Sequence, residues 1–328
     1  MKTVELQALA KINLDLRILH KRPDGFHELR TIFQTISLAD TIAIEYHNSR
    51  RTDLTIDGSD NIPDNLILRA ARAYLDAARI HARIHFRLTK RIPMGGGLGG
   101  GSSDAAAVLL ALPILTGKPV DAPSLASQLG SDVPFFLHGG TALGLGRGEE
   151  LYPLPDIAEQ PILLISAGLH VSTGPAYAAL GRGLTFTGSS IKINGFREFV
   201  RTLGDERRAT LASALSENDF EPVVFRQFPK LKTILGKLSK SGAAGVRRPF
   251  VSRPFVRMTG SGSVIFAVFE STEDRERARK GLDGDRGLTV LASRLVSRRS
   301  FERLWRRQLR DHIVPGDDLW PPRSRYER

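Results

Sequence analysis

A run of six glycines in seven positions, residues 95–101, limits what this chain can fold into more than any other feature. Glycine loses more conformational entropy on ordering than any other residue, so an ordered run of this kind needs a compensating interaction. Bare backbone amides can converge on an anion without obstruction by side chains, and a following helix adds the positive end of its dipole. The run therefore predicts a phosphate-binding loop that continues into a helix.

Hydrophobic periodicity places this glycine run between a strand and a helix. Ile84, Phe86 and Leu88 alternate with polar residues as in a half-buried strand, and the residues after the run are apolar enough to form a buried helix. The same patterns predict further strands over residues 12–18, 161–167, 264–269 and 288–291, and further helices over 63–79, 195–203, 229–240 and 271–281. We therefore expect an α+β fold.

The length of the chain, 328 residues, is sufficient for two lobes that each bury a core. We expect an N-terminal lobe over residues 1–160, a C-terminal lobe over 161–296, and a basic, poorly ordered tail over 297–328. The sequence RPFV occurs at residues 248–251 and again at 253–256. This near-tandem repeat favours a surface loop insertion around residues 247–257, although basic, proline-rich sequence can also be a peptide ligand.

Other interpretations of the glycine run are weaker. Gly95, Gly97 and Gly100 satisfy the dinucleotide pattern G-x-G-x-x-G, but a glycine-rich run satisfies this pattern by chance, and the run does not lie in the first strand-turn-helix unit. It is not a Walker loop, because no Gly-Lys-Ser/Thr closes it. A flexible linker is disfavoured because an apolar helix follows directly.

Charge and composition restrict the partners and the compartment. The formal net charge of +12 suits a nucleic acid, a membrane surface or an anionic small substrate, and ten arginines against five acids from Arg294 onwards concentrate part of it at the C-terminus. The chain has no cysteine, which excludes disulfides, thiolate nucleophiles and cysteine-ligated zinc, and its histidines lack a zinc-site spacing. No apolar stretch has the length of a signal peptide or a membrane span, so we expect a soluble cytoplasmic protein.

Four ordered motifs resemble the galactose, homoserine, mevalonate and phosphomevalonate (GHMP) kinase superfamily, and within it the 4-diphosphocytidyl-2-C-methyl-D-erythritol kinase family. They are AKINL with PDGFH at residues 10–14 and 23–27, PMGGGLGGGSSDAA at 93–106, GSDVP at 130–134, and MTGSGS at 258–263. The resemblance implies a two-lobed small-molecule kinase. It would use ATP and Mg²⁺ to phosphorylate the 2-hydroxyl of a cytidine-diphosphate-linked sugar alcohol in the non-mevalonate isoprenoid precursor pathway. We expect a monomer or weak homodimer that binds neither nucleic acid nor membrane.

The resemblance assigns the reaction to Lys11 and Asp132. In this family the residue at the position of Asp132 accepts the proton of the acceptor hydroxyl, and Lys11 would orient the acceptor oxygen and offset charge on the transferred group. Lys11 and Asn13 are two residues apart on a strand and therefore share a face. Taken without the other motifs, Asp132 would be interpreted as a turn cap, and Lys11 and Asn13 would be equally consistent with a solvated strand face.

The resemblance assigns substrate binding to Asn13 together with Phe26, His27, Thr173 and Tyr177. Family members hold the cytosine ring by hydrogen bonds to its edge and by aromatic stacking. Phe26 stands where tyrosine is usual, so stacking is retained and a hydroxyl is lost. An isolated surface histidine is more often without any ligand.

The resemblance also predicts the ATP site and its metal. Asn65 matches a position that contacts adenine, and it is equally suited to cap a helix. Mg²⁺ should lie on the ATP phosphates, with help from Ser102 or Ser103, because Mg²⁺ rarely has an all-protein cage. The short glycine segment 260–262 should close near the reacting end of the substrate. The residues expected at ATP are Pro93, Met94, Gly95, Gly96, Gly97, Leu98, Gly99, Gly100, Gly101, Ser102, Ser103 and Asn65.

Two alternatives to this function remain open at this point. A sibling kinase acting on mevalonate or homoserine would share the motifs and differ in its acceptor. A basic nucleic-acid-binding protein would explain the pI of about 10.3 and the arginine-rich tail, but not the glycine run. We expect the tail to be dispensable for catalysis.

Overall fold

The computed structural model describes residues 1–58, 64–181, 216–241, 254–282 and 284–327. Within these ranges the strands are β1 Lys2–Lys21, β2 His27–Asn48, β3 Asp53–Asp57, β4 Ala82–Thr89, β5 Thr141–Leu145, β6 Glu150–Pro153, β7 Pro161–Ser166, β8 Phe255–Met258, β9 Ile265–Val268 and β10 Thr289–Arg294. The helices are α1 Leu66–Ala78, α2 Gly100–Thr116, α3 Ala122–Leu129, the 3-10 helix Pro134–Leu137, α4 Thr173–Ala179, α5 Glu221–Gln227, α6 Pro229–Lys240, α7 Thr272–Lys280 and α8 Arg298–Gln308. None of the helices in these ranges combines the length and the apolar character needed to cross a bilayer.

A long hairpin of β1 and β2 organises the first sheet. The two strands pair antiparallel from Lys2 opposite Tyr46 to Lys21 opposite His27. They are joined by a turn in which Gly25 has a φ of 86°, a conformation that glycine adopts without strain. β2 also pairs with β4 and β5, and the sheet order is β3-β4-β2-β5-β6. The turn lies in the PDGFH motif, residues 23–27.

The helix that follows the glycine run, α2, lies at the centre of the first core. Every residue from Ser103 to Leu112 is buried, because apolar residues surround the helix axis instead of forming one stripe. α2 packs against α1, α3 and β1. The predicted order of strand, glycine loop and buried helix is confirmed, with β4 ending at Thr89 and α2 beginning at Gly100.

A second, antiparallel sheet with strand order β10-β7-β9-β8 carries the other half of the fold. One of its faces packs against helices, and there Leu163, Ile165 and Leu231 belong to one buried cluster. The opposite face, with Leu164 and Phe266, shares a core with Ile12 and Leu14 of β1 and with Leu98 of the glycine run. The two sheets are therefore joined along the strand that carries Lys11.

Part of the RPFV repeat forms a strand. Its second copy runs into β8, which pairs with β9, and Val256 is buried. The predicted loop insertion is wrong for residues 255–257, because their backbone pairs with β9 and their side chains alternate between the two faces of the sheet. The first copy and the helix predicted over residues 195–203 lie outside the described residues.

The prediction of a poorly ordered tail is also wrong. Ser297 caps α8 by accepting a hydrogen bond from the backbone N–H of Ser300. Phe301 and Trp305 are each 2% exposed and belong to the same core as α2. Residues 297–327, which we call the C-terminal segment, therefore pack into the first core, and their aromatic side chains are part of its interior.

Candidate active site

Lys11 and Asp132 meet although they lie far apart in the sequence. Lys11 Nζ is 3.3 Å from Asp132 Oδ2. The side chain of Lys11 is 4% exposed and that of Asp132 is 32% exposed, so the lysine is held inside the protein while the carboxylate remains accessible to a ligand. This pair combines a fixed positive charge with a reachable proton acceptor.

Besides Asp132, two neighbours orient the ammonium group of Lys11. It donates to Asn13 Oδ1 at 2.7 Å, and it lies 5.3 Å from the centre of the Phe33 ring. The backbone N–H of Lys11 donates to the carbonyl of Leu98 at 3.1 Å. Because Leu98 belongs to the glycine run, this hydrogen bond ties the catalytic candidate directly to the predicted phosphate loop.

Asn13 connects β1 to two other segments. Its amide Nδ2 donates to Thr31 Oγ1 of β2 at 2.7 Å, and its backbone N–H donates to Thr259 Oγ1 at 3.1 Å. The Thr259 hydroxyl can donate to Asn13 Oδ1 or to the Gly97 carbonyl, each at 3.2 Å. Thr259 thus joins the lysine strand, the glycine run and the glycine segment 260–262.

The glycine run is packed so closely that most of its positions leave no space for a side chain. A Cβ on Gly97 would lie 2.3 Å from the Thr259 carbonyl oxygen, and one on Gly99 would lie 2.8 Å from the Phe136 ring. A Cβ on Gly95 would lie 2.5 Å from Nδ1 of His170. All three glycines have positive φ, between 67° and 79°. The backbone therefore takes a path that only glycine allows, as a loop that wraps an anion requires.

The N-terminus of α2 is available to an anion. Its N-cap is Gly99, which has no side chain to satisfy the first N–H groups of the helix. Those amides and the helix dipole point to the end of the glycine run. Ser102 is half-buried in this first turn. The hydroxyl of Ser103, by contrast, is buried and donates to the Leu9 carbonyl at 2.7 Å.

A buried charge cluster lies beneath the glycine run. Lys90 Nζ bonds to Asp40 and, at 2.9 Å, to Asp104 Oδ2. The other oxygen of Asp40 accepts the backbone N–H groups of Arg91 and Ile92, which lead into the run. Burial raises the pKa of Asp104 to about 7, Lys90 opposes this shift and Asp40 reinforces it. The cluster ties β2, the end of β4 and α2 together under the loop.

The residues predicted to hold the cytosine ring fall into two groups. His27 and Tyr177 stack on each other, with ring centres 4.6 Å apart and planes at 16°. Burial, and then the charge of Asp132, raise the pKa of Tyr177 to about 12. Thr173 Oγ1 is 3.1 Å from Ser261 Oγ in the glycine segment 260–262. Phe26 is separate from these, since it is 54% exposed at the hairpin tip, with the Arg147 guanidinium 5.0 Å from its ring.

Asn65 acts as a helix cap. Its Oδ1 accepts the backbone N–H of Ile67 at 2.9 Å, and the residue is 9% exposed. Pro93 and Met94 precede the run, and Met94 is 68% exposed. No group of three or more His, Cys, Asp or Glu side chains suited to a metal ion occurs in the described ranges.

Several residues of the site are not found by sequence reasoning. Thr31 and Asn218 carry no local motif, yet Asn218 Nδ2 donates to the carbonyls of Met258 and Gly260 and holds the second glycine segment. Lys90 and Asp40 are ordinary charged residues in the sequence. Asp104, which closes the SSD sequence after the run, is the member of the cluster that a motif could have indicated.

Comparison with known proteins places these features in context. Residues 65–140 match the GHMP kinases N terminal domain. A 4-diphosphocytidyl-2-C-methyl-D-erythritol kinase of Solibacter usitatus is 49% identical over 98% of this chain and 97% of its own length. The enzyme of that name from Pelotomaculum thermopropionicum is 39% identical over 83% of this chain and 90% of its own. A crystal structure of 4-(cytidine 5'-diphospho)-2C-methyl-D-erythritol kinase superposes with a TM-score of 0.70 at 37% identity, and covers 89% of this chain and 98% of that one.

Proposed function

This chain belongs to the 4-diphosphocytidyl-2-C-methyl-D-erythritol kinase family of the GHMP kinases, and on this basis we propose how its residues carry out phosphoryl transfer. It is an ATP-dependent small-molecule kinase, and its reaction is the phosphorylation of 4-diphosphocytidyl-2-C-methyl-D-erythritol. We assign the acceptor as the 2-hydroxyl. The observation that carries the proposal is the 3.3 Å separation of Lys11 Nζ and Asp132 Oδ2 next to the glycine run.

Asp132 is the proton acceptor in this mechanism. Its carboxylate takes the proton of the 2-hydroxyl while the hydroxyl oxygen bonds to the γ-phosphorus of ATP, and the bond from that phosphorus to the β,γ-bridging oxygen breaks to release ADP. Lys11 holds the acceptor oxygen and offsets negative charge on the transferred group. Asn13 and Phe33 hold the ammonium in place, so its position does not have to be organised during the reaction.

The glycine run and the first turn of α2 are the proposed phosphate site. Their amides meet the ATP phosphates without obstruction from side chains, and the charge cluster of Lys90, Asp40 and Asp104 supports the loop from below. Mg²⁺ fits a site in which ATP supplies most ligands, because Mg²⁺ keeps several waters and the described residues offer no protein cage. Ser102 is the protein ligand we propose, since the Ser103 hydroxyl already bonds to Leu9. The metal would neutralise phosphate charge.

Recognition of the cytidine group is proposed for His27, Tyr177 and Thr173, with Phe26 at the hairpin tip. His27 and Tyr177 form a flat aromatic stack beside Asp132, and a pyrimidine ring suits such a surface. Adenine contact is proposed for Asn65 in addition to its role as a cap. All residues of the proposed mechanism lie in one chain, in keeping with a monomer or weak homodimer.

ADP release by the purified protein tests this proposal. We expect turnover with 4-diphosphocytidyl-2-C-methyl-D-erythritol and little with mevalonate or homoserine. Asp132→Asn should lower kcat by roughly 10²–10⁴-fold, because it removes the proton acceptor and retains the size of the side chain. Asp53→Asn, at an exposed aspartate of β3, is the matched control and should leave kcat unchanged. Equal kcat for Asp132→Asn and the wild type would remove Asp132 from the mechanism.

A further inference from the structure

The C-terminal segment reaches the part of the chain that carries Asp132. Trp320 Nε1 donates to the Leu137 carbonyl at 2.9 Å. The Phe301 ring lies against Gly139, where an added Cβ would be 2.6 Å from it. Phe301 and Trp320 contact each other edge to face, with ring centres 5.9 Å apart. Two aromatic residues of the segment therefore cover the end of the 3-10 helix Pro134–Leu137.

A third contact lies just beyond this helix. Arg298 Nη2 donates to the Thr141 carbonyl at 2.7 Å, and its backbone N–H donates to Asp156 Oδ1 at 2.9 Å. The stretch from Leu137 to Thr141 is thus attached to the C-terminal segment at both ends. The contacts to Leu137 and Thr141 join residues more than 150 positions apart in the chain, so they cannot arise from local sequence.

The 3-10 helix connects this attachment to the reacting groups. It begins two residues after Asp132, and its Phe136 ring packs on Gly99 of the glycine run. Phe135 packs on Phe33 with ring centres 5.0 Å apart, and the Phe33 ring in turn faces Lys11. One short helix therefore contacts the surroundings of the carboxylate, the lysine and the phosphate loop.

A single 3-10 turn needs outside support. Its hydrogen-bond geometry is poor, and the last carbonyls of a helix have no partner within the helix. The Leu137 carbonyl finds its partner in Trp320. Without the Trp320 hydrogen bond the Leu137 carbonyl would lose this partner, so the end of the helix would be held by packing alone and small displacements of Asp132 would follow.

We infer that the C-terminal segment positions Asp132: Trp320 and Phe301 hold the 3-10 helix so that the carboxylate stays within reach of Lys11. Trp320 is a positioning residue that acts through Leu137 and touches no substrate. The inference rests on the proposed function of Asp132. It also assigns a role in turnover to residues that composition alone describes as a basic tail.

Trp320→Phe tests this role, because it retains an aromatic ring and removes the hydrogen bond to Leu137. Tyr326→Phe is the matched control, since it removes one hydrogen bond of the same segment, from the hydroxyl to His312 Nδ1 at 3.0 Å, without touching the 3-10 helix. We expect kcat of Trp320→Phe to fall by about 5- to 100-fold while KM for both substrates changes less than about twofold, as for a displaced catalytic group. Tyr326→Phe should keep the wild-type kcat.

Hydrogen exchange provides a readout that does not depend on activity. The amides of Phe136, His138 and Gly139 are hydrogen-bonded within this turn, and they should exchange faster in Trp320→Phe than in the wild type or in Tyr326→Phe. Wild-type kcat and exchange in Trp320→Phe would overturn the inference, and so would equal losses of kcat in both variants. If Trp320→Phe does not fold, Arg298→Lys at the Thr141 contact takes its place with the same expected direction. A wild-type protein without turnover would contradict the proposed function, whereas the exchange comparison would still decide this inference.

Discussion

The glycine run and the C-terminal segment both contact the surroundings of the proposed reacting site, but they are held there by different physical means. The run depends on missing side chains, since a Cβ on Gly97 or Gly99 would collide with Thr259 or Phe136. The C-terminal segment depends on large side chains that are buried by distant partners, above all Phe301 and Trp305. Absence of a side chain is visible in the sequence, whereas burial by a distant partner is not.

The C-terminal segment contains an amphipathic helix, which its many arginines make hard to recognise in the sequence. Phe301, Trp305 and Leu309 recur every four residues and are all buried. The arginines at positions 299, 303, 307 and 310 lie on the exposed side. The helical period of the apolar residues was therefore present in the sequence, whereas the overall charge led to the wrong prediction of a poorly ordered tail.

Removal of residues 297–328 should have the largest effect on stability, and it tests whether the C-terminal segment is needed at all. Truncating a buried aromatic residue typically costs about 3–5 kcal/mol, so loss of Phe301 and Trp305 alone is comparable with a total stability of about 5–15 kcal/mol. We expect the shortened chain to show no cooperative thermal unfolding by circular dichroism. A folded, fully active shortened protein would mean that the segment is the dispensable tail that its charge suggests.

Gly97→Ala should have the next largest effect. The substitution places a Cβ 2.3 Å from a backbone oxygen at a φ of 79°, and we expect a loss of about 2–4 kcal/mol in the free energy of unfolding. Urea denaturation measures this through the transition midpoint at constant slope.

Gly101→Ala is the stability control within the same run. Its nearest contact would be Leu66 at 3.5 Å, and its φ is not positive, so its stability should stay within about 1 kcal/mol of the wild type. Equal stability of the two variants would show that close packing does not explain the run.

The smallest expected effect is a pH dependence of the free energy of unfolding. It should arise from the charge cluster beneath the glycine run and not from the C-terminal segment. An unfolded aspartate titrates near pH 4, whereas the pKa of Asp104 is raised to about 7 by burial, so the folded protein binds the extra proton between these values. The contribution of Asp104 to the free energy of unfolding should therefore fall as pH rises from about 4 to 7.

Urea midpoints at pH 5 and pH 7.5 measure this contribution. Relative to the wild type, Asp104→Asn should gain on the order of 1–2 kcal/mol at the higher pH. Trp320→Phe removes no titratable group and should show no such gain. A pH-independent difference for Asp104→Asn would argue against the buried charge cluster as a pH-sensitive support of the loop.

Local sequence predicted much of the fold where neighbours in the chain determine the structure. The order of β4, glycine run and α2 follows from alternation, missing side chains and an apolar stretch that are contiguous. The helix after Ser271 follows from its cap, whose side chain accepts the backbone N–H of Asp274. The loop expected over residues 255–257 failed because pairing with β9 decides whether such a short segment becomes a strand.

The main residues of the candidate site were predicted from sequence, but the residues that hold them in place were not. Lys11, Asp132 and the glycine run were expected, and the structure brings them together. Thr31, Asn218 and the pair Lys90 and Asp40 were not expected, because each is a common residue without a local pattern. Their importance comes from hydrogen bonds to segments that are remote in the chain.

The sequence by itself determined the backbone that can surround a phosphate, because the freedom to adopt positive φ and to pack without a Cβ belongs to glycine wherever it occurs. Only the tertiary structure decided that Lys11 and Asp132 face each other and that Trp320 supports the turn beside them. Such contacts depend on the burial and directions of side chains from several segments at once. No stretch of the chain encodes those quantities alone.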